Sequence, residues 1–416
     1  MIGIDTVEID RFRNMKNLEV FIRKVFTAEE AKYFVSKTGS KRFYESIAGH
    51  FAAKEAFAKA LGTGVRGFNL SDVEICHDGL SKPYIKLGGV EVNACLSISH
   101  SETDAVAVVY IPGSIPGTGV PVYADIASFE QLLPQRSDDA HKGDCGRALI
   151  IGGSRGMTGA PCLAALGAMR CGSGLVTVGL PKSQQPVAAV KLTEAMTLPL
   201  PENETDGTLS LSALGEISAR LNTSDVCVFG PGLARNDDIQ RLLESLLSRR
   251  SRFVIDADGL YALSRDMDIL RKHKNRMECE IIITPHEGEM SRLCGIPPEN
   301  IRNDREGTAL RFAEEFGVIT VLKGRRTVTA SPDGRVCVNS SGNSGMATGG
   351  MGDVLSGVIA SFWGQGAEAF EAAALGAFVH GVAGDLAASD IGERGILASD
   401  LAQRLPEAIR LVSNAG

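Results

Sequence analysis

The stretch Gly345-Met-Ala-Thr-Gly-Gly-Met-Gly-Asp-Val-Leu-Ser-Gly357 sets four glycines, Gly345, Gly349, Gly350 and Gly352, just before a single acid, Asp353. An apolar, helix-like run follows through Trp363. Glycines let backbone N–H groups approach an anion closely, and a helix N-terminus adds partial positive charge there. An acid at that point is badly placed to hold phosphate. It is well placed to take a proton from a hydroxyl beside a phosphate donor. The stretch therefore reads as a site of phosphoryl transfer to an alcohol. From these residues alone, a Gly-rich turn with Asp353 as an ordinary helix cap stays open as the alternative.

Ahead of this stretch, strand and helix alternate. Apolar runs at 148–151, 175–179, 226–229, 253–256, 281–284 and 319–322 predict strands, several of them continuous, as in strands buried on both faces. Helical patterns lie between, at 160–171 and 239–248. This is the pattern of a doubly wound α/β domain, whose ligands sit at the carboxyl ends of its strands. Five of those ends carry suggestive loops: GGSRGMTGA at 152–160, GPGLA at 230–234, DADG at 256–259, PHEGE at 285–289 and KGRRT at 323–327. Residue by residue, bland readings remain. His286 fits a helix start, Asp256 or Asp258 a helix cap, and Lys323, Arg325 and Arg326 a solvated surface.

The first 110 residues read differently. Strands are predicted at 2–9, 73–76, 84–87, 96–99 and 105–111, and helices at 27–37 and 46–61, with Thr27 and Glu30 in a capping-box pattern. Strand and helix mix without strict alternation, as in an α+β unit. Pro112-Gly-Ser-Ile-Pro-Gly-Thr-Gly-Val-Pro121 holds three prolines and three glycines, which cannot continue a helix or a central strand. It divides the chain into domains at 1–111 and 122–416, with a linker at 112–121. In the first domain Asp5 interrupts an apolar strand, while Glu55 lies on a packed helix with Lys59 one turn on. Two such acids can share Mg²⁺ with phosphate oxygens, and Lys59 would meet a phosphate on that cation. An ordinary Glu55–Lys59 surface pair is the alternative.

A chain of 416 residues suggests two or three domains, and 44% hydrophobic with 22% charged residues is ordinary for a soluble globular protein. No apolar run approaches the length of a membrane span, and the opening MIGIDTVEID does not resemble a signal peptide. Nine cysteines without a C-x-x-C pair point to reduced thiols and a cytoplasmic protein. The net charge of −7 argues against nucleic acid, and no membrane partner is expected. Residues 1–110 carry no net charge yet gather Arg11, Arg13, Lys16, Arg23 and Lys24, where an acidic protein could dock.

The segments HKGDCGRALIIGGSRGMTGAP, GPGLAR, DADGL, TPHEGEM, LKGRRTV and GNSGMATGGMGDVLSG, from His141 onward, resemble the motifs of the ADP-dependent NAD(P)H-hydrate dehydratases, ribokinase-like repair enzymes. The resemblance implies conversion of the S epimer of NADH-hydrate or NADPH-hydrate back to the reduced nucleotide, with ADP becoming AMP and phosphate. It implies that Asp353 contacts the hydrated ring as the base. Lys323, Gly324, Arg325, Arg326, Thr327 and Gly352 would hold the nucleotide, and Ala160, Gly232 and His286 would line the hydrate pocket. An ATP-dependent small-alcohol kinase of the same fold is the rival.

The segments GIDTVEIDRF, FTAEE, AGHFAAKEAFAKALGTG, SKP and LSISHS resemble holo-acyl-carrier-protein synthase over residues 1–110. The resemblance implies transfer of 4′-phosphopantetheine from coenzyme A to a serine of apo acyl carrier protein. It makes Asp5 and Glu55 the Mg²⁺ ligands, Lys59 the phosphate-contacting lysine, and His100 a residue near the nucleotide. It also implies a homo-oligomer. Two positions depart from the family: His50 stands where arginine is usual, and Ser81 replaces the glycine of G-K-P, both near the expected coenzyme A site. A degenerate carrier-docking module is the rival for this domain. The whole chain is thus expected to pair an α+β phosphopantetheinyl transferase domain with an α/β ribokinase-like domain.

Overall fold

A computed structural model describes residues 2–61, 69–79, 81–92, 94–111, 121–123, 129–137, 139–249, 251–274 and 279–414. The chain forms two compact units, Met1–Tyr123 and Ala124–Gly416. Most of the linker expected at 112–121 lies outside the described residues.

The first unit is α+β. Strands Ile2–Glu8, Asp104–Tyr110 and Cys95–His100 form an antiparallel sheet in that order, and Val73–His77, Pro83–Leu87 and Val90–Glu91 form a second. The 19-residue helix Arg42–Ala60 buries Ile47, Ala52, Ala56 and Phe57 against them. Thr27 does cap the helix Ala28–Val35, in a reciprocal capping box with Glu30. The other face of the first sheet leaves Ile2 and Ile4 exposed, beside their cross-strand partners Tyr110 and Val108.

The second unit is a doubly wound sheet. Its strands run in the order Met196–Leu200, Leu175–Pro181, Arg147–Ile151, Val226–Phe229, Ser251–Ile255, Cys279–Ile283, Ile319–Leu322, Val328–Ala330 and Val336–Val338. Neighbours pair in parallel as far as Ile319–Leu322 and antiparallel beyond it. Val226, Val228, Phe229, Val254 and Ile282 are fully buried, as continuous apolar strands covered on both faces should be. The helices Gly159–Arg170 and Met351–Gly364 pack backbone to backbone. A Cβ at Gly167 would lie 2.4 Å from the Val354 carbonyl oxygen, and one at Gly357 would lie 1.9 Å from that of Ala164. Only glycine permits that approach, which fixes the Asp353 helix onto the helix that follows the first glycine loop.

One expectation is corrected. The helix Ala369–Ile391, 23 residues with a mean hydropathy of 1.3 over its most apolar window, is long and apolar enough to cross a membrane by length and composition. That window is 72% buried within the fold, as in the core helix of a globular protein. Its alanines and glycines let it pack on all sides, which blurs any helical period in the sequence.

Candidate active site

The ends of three strands in the second unit converge on one charged cluster. Lys323 follows Ile319–Leu322, and its backbone bridges to that of His286. Its Nζ lies 2.6 Å from Asp256 Oδ1 and 3.9 Å from Glu289 Oε2. The Lys323 side chain is 18% exposed and that of Asp256 2%. Burial alone would lower the lysine's pKa. The surrounding carboxylates outweigh it and hold the value above the usual one, so Lys323 stays charged. Ala257, between Asp256 and the helix Asp258–Ser264, has φ of +50°, strain that fixes how Asp256 leaves its strand. Asp258 turns away, accepting from the Ala234 amide at 2.9 Å and from Arg235 at 3.1 Å.

Asp353 lies in the first turn of the helix Met351–Gly364. Burial first, then the Asp256 charge, pushes its carboxyl up to about 7 against the partial relief that Lys323 gives. A Cβ on Gly352 would stand 3.1 Å from Lys323 Nζ, so lysine and helix start are adjacent. The helix begins at Gly350, whose φ of +92° favours glycine and which supplies no side-chain cap. Among the described residues, the amides of Met351, Gly352 and Asp353 have no acceptor. Amides left uncapped in this way can hold an anion.

His286 caps the helix Glu287–Cys294, so the bland reading of this histidine is correct as far as its Nδ1 goes. That nitrogen accepts from the Gly288 amide at 3.0 Å and the Glu289 amide at 3.2 Å, which leaves the ring proton on Nε2. Burial, then Lys323, lowers its pKa, so the ring is neutral near pH 7. Glu289 returns the cap through the His286 amide at 2.9 Å, and burial raises its own carboxyl to about 6.

Gly232 and Ala160 meet each other: a Cβ on Gly232 would lie 3.2 Å from Ala160 Cβ and 2.7 Å from the Met157 carbonyl oxygen. Beyond Lys323 the chain turns at Gly324, whose carbonyl accepts from Thr327 Oγ1 at 3.1 Å. Arg325 and Arg326 are exposed. The sequence reading of the site left out three residues of this neighbourhood. Asp256 had an equal claim as a helix cap. Glu289 hid as the third residue of its own capping box. His380, on the helix Ala369–Ile391, carried no signal at all.

In the first unit Lys59 Nζ lies 2.6 Å from Asp5 Oδ1 and 3.2 Å from the Ile4 carbonyl oxygen. Glu55, half-buried one turn earlier on the same helix, has no hydrogen bond or ion pair among the described residues. No group of three or more His, Cys, Asp or Glu gathers into a metal cage among those residues. Two acids are what a Mg²⁺ ion completed by phosphate oxygens and water requires, and a half-buried carboxylate without a partner fits one. His100 is exposed at the end of Cys95–His100. His50 is buried, with its Nδ1 3.1 Å from Glu30 Oε1, while Lys54 Nζ lies 2.7 Å from Glu30 Oε2. It therefore belongs to an internal charge network. Ser81 has φ of +64°, a conformation in which glycine is unstrained.

Comparison with known proteins decides the family. Residues 148–407 match the NAD(P)H-hydrate dehydratase family. The chain belongs to that family. Residues 1–110 match the 4′-phosphopantetheinyl transferase superfamily, so a second enzyme family precedes the first in one polypeptide. The bifunctional NAD(P)H-hydrate repair enzyme of Moorella thermoacetica is 46% identical over 279 residues, 67% of this chain and 52% of that protein. The ADP-dependent (S)-NAD(P)H-hydrate dehydratase of Neisseria meningitidis serogroup B is 37% identical over 280 residues, 66% of this chain and 88% of that protein. The chain spans about half the length of most of the curated relatives it matches. A crystal structure of the ADP/ATP-dependent NAD(P)H-hydrate dehydratase of Bacillus subtilis, co-crystallised with ATP and Mg²⁺, superposes with a TM-score of 0.61 at 28% identity, over 70% of this chain and 98% of that one. The second unit is thus ribokinase-like, as expected.

Proposed function

We propose that the second unit, residues 122–416, dehydrates (6S)-NAD(P)H-hydrate to NAD(P)H, turning ADP into AMP and phosphate. The observation that carries this reading is Asp353, a carboxyl raised to about 7, set directly beside the uncapped amides of Met351 and Gly352 and the charged Lys323. Asp353 takes the proton of the ring hydroxyl as its oxygen attacks the β-phosphorus of ADP and the bond to AMP breaks. The glycine amides and Lys323 hold the charge that gathers on the moving phosphoryl group. Loss of phosphate from carbon, with a proton from the adjacent carbon, restores the ring double bond. Gly352 and the 323–327 loop hold the nucleotide, and Ala160, Gly232 and His286 line the hydrate pocket.

The first unit, residues 1–111, transfers 4′-phosphopantetheine from coenzyme A to a serine of acyl carrier protein. Asp5 and Glu55 would hold Mg²⁺, which when bound neutralises pyrophosphate charge and helps activate the serine. Lys59 exchanges Asp5 for a phosphate, with His100 near the nucleotide. Exposed Arg11, Arg13, Lys16, Arg23 and Lys24 suit an acidic carrier. The exposed Ile2, Ile4, Val108 and Tyr110 support assembly into a homo-oligomer. Free cysteines, several of them buried, fit a cytoplasmic setting.

The first test incubates the protein with hydrated NADH, Mg²⁺ and ADP or ATP, and follows the absorbance of the restored dihydronicotinamide. Recovery with ADP that is lost in Asp353→Ala supports the reading. No recovery with either nucleotide from folded protein overturns it in favour of the small-alcohol kinase.

A further inference from the structure

His380 is buried in the middle of the helix Ala369–Ile391, and its Nε2 lies 3.0 Å from the carbonyl oxygen of Met351. Met351 is the first residue of the helix that carries Asp353. In helical geometry its carbonyl already accepts from the amide four residues on, so the histidine is a second donor to the same oxygen. Burial, and then the charge of Lys323, push the imidazole down to about 4, against the bond to Met351. The ring is neutral at working pH, and the nitrogen facing Met351 carries the proton. The Met351 carbonyl and the Gly352 amide belong to one peptide unit. Drawing electron density from that carbonyl makes the Gly352 N–H a stronger donor and fixes its direction. That N–H has no acceptor among the described residues, and Lys323 stands beside it.

We infer that His380 is a positioning residue that orients and polarises the Gly352 amide toward the phosphoryl group in transit. This rests on the reading of the glycine amides as the cradle of that group. ADP carries the transferable phosphoryl and AMP lacks it. His380 therefore matters for binding ADP and not for binding AMP, a split that a purely structural role would not produce.

The test uses the full chain and calorimetric titration of ADP and AMP against wild type, H380Q and H380N. Gln carries an N–H about as far out as Nε2, whereas Asn falls short of Met351. H380N is expected to weaken ADP on the order of tenfold with AMP unchanged, and H380Q to restore most of the loss. Equal weakening of both nucleotides, or of neither, in a variant with the wild-type Trp363 emission overturns the inference. H380F fills the same space without a donor and repeats the test should H380N fail to fold. A wild type that does not restore hydrated NADH with ADP overturns the proposed function. An active wild type with an unaltered ADP-to-AMP ratio in H380N overturns only this inference.

Discussion

Asp353→Asn should abolish dehydration and make the second unit more stable, by an amount that grows with pH. The carboxyl goes from 3.8 in an unstructured chain to about 7 in the fold, through burial and then the neighbouring Asp256 charge. The stability that its protonated form contributes is fully present below 3.8 and is lost as pH rises through about 7. An amide carries no such loss. Linkage puts the gap between variant and wild type at about 2 kcal/mol at pH 5 and about 4 kcal/mol at pH 8 as an upper bound, a widening of roughly 2–3 kcal/mol. The chain's single tryptophan, Trp363, is 1% exposed near the end of the Asp353 helix, so its fluorescence reports the unfolding of this unit. Urea titrations of both proteins at pH 5 and pH 8 measure the gap directly. A gap that stays constant, or a wild type that is the more stable at pH 8, refutes a raised carboxyl at this site.

Dehydration by wild type should fall as pH drops through about 7, and Asp256→Asn should move that acid limb to lower pH. It removes a repelling charge and frees Lys323 to face Asp353; a pH–rate profile with an unmoved limb counts against the cluster. Gly357→Ala sets a methyl group 1.9 Å from the Ala164 carbonyl oxygen. It should cost about 1–3 kcal/mol in the Trp363 urea transition, and an unaltered midpoint would mean that the two helices separate freely. Lys59→Ala removes a pair whose lysine is 54% exposed. Stability should change by less than about 1 kcal/mol, while pantetheinyl transfer to apo carrier protein, followed by mass spectrometry, should fall on the order of tenfold or more. Full transfer activity in that variant would remove Lys59 from the reaction.

The sheet of the second unit was legible because its strands are buried on both faces and so appear as unbroken apolar runs. Expected 226–229 and 319–322 match Val226–Phe229 and Ile319–Leu322 residue for residue. The Asp353 helix was legible from its glycines. The helix Ala369–Ile391 was not, because alanine and glycine throughout leave no polar face to set a period, and its histidine bonds to a backbone atom. Asp256 and Glu289 were visible as acids at strand ends, but their roles depend on one lysine that reaches both. His50 illustrates the limit from the other side. Its place in a family motif gave no hint that its side chain closes a buried network with Glu30 and Lys54.

The two units arrive at the same local device with different strengths. Each sets a lysine ammonium 2.6 Å from an aspartate: Lys59 on Asp5, and Lys323 on Asp256. A phosphate that takes the lysine must outcompete that carboxylate. In the first unit the lysine is 54% exposed and its aspartate 14%, so water can replace the lysine at a lower cost. Asp5 and Glu55 would then both be free to meet a divalent cation, should one arrive with the phosphate. In the second unit the lysine is 18% exposed and its aspartate 2%. Stranding Asp256 there as an unpaired buried charge would be costly. If Lys323 meets a nucleotide, it should therefore keep Asp256, as a fixed positive centre beside Gly352 and Asp353. Its charge partly offsets the burial and the Asp256 repulsion that raise Asp353, and the carboxyl settles at about 7, where a general base is most effective near neutral pH.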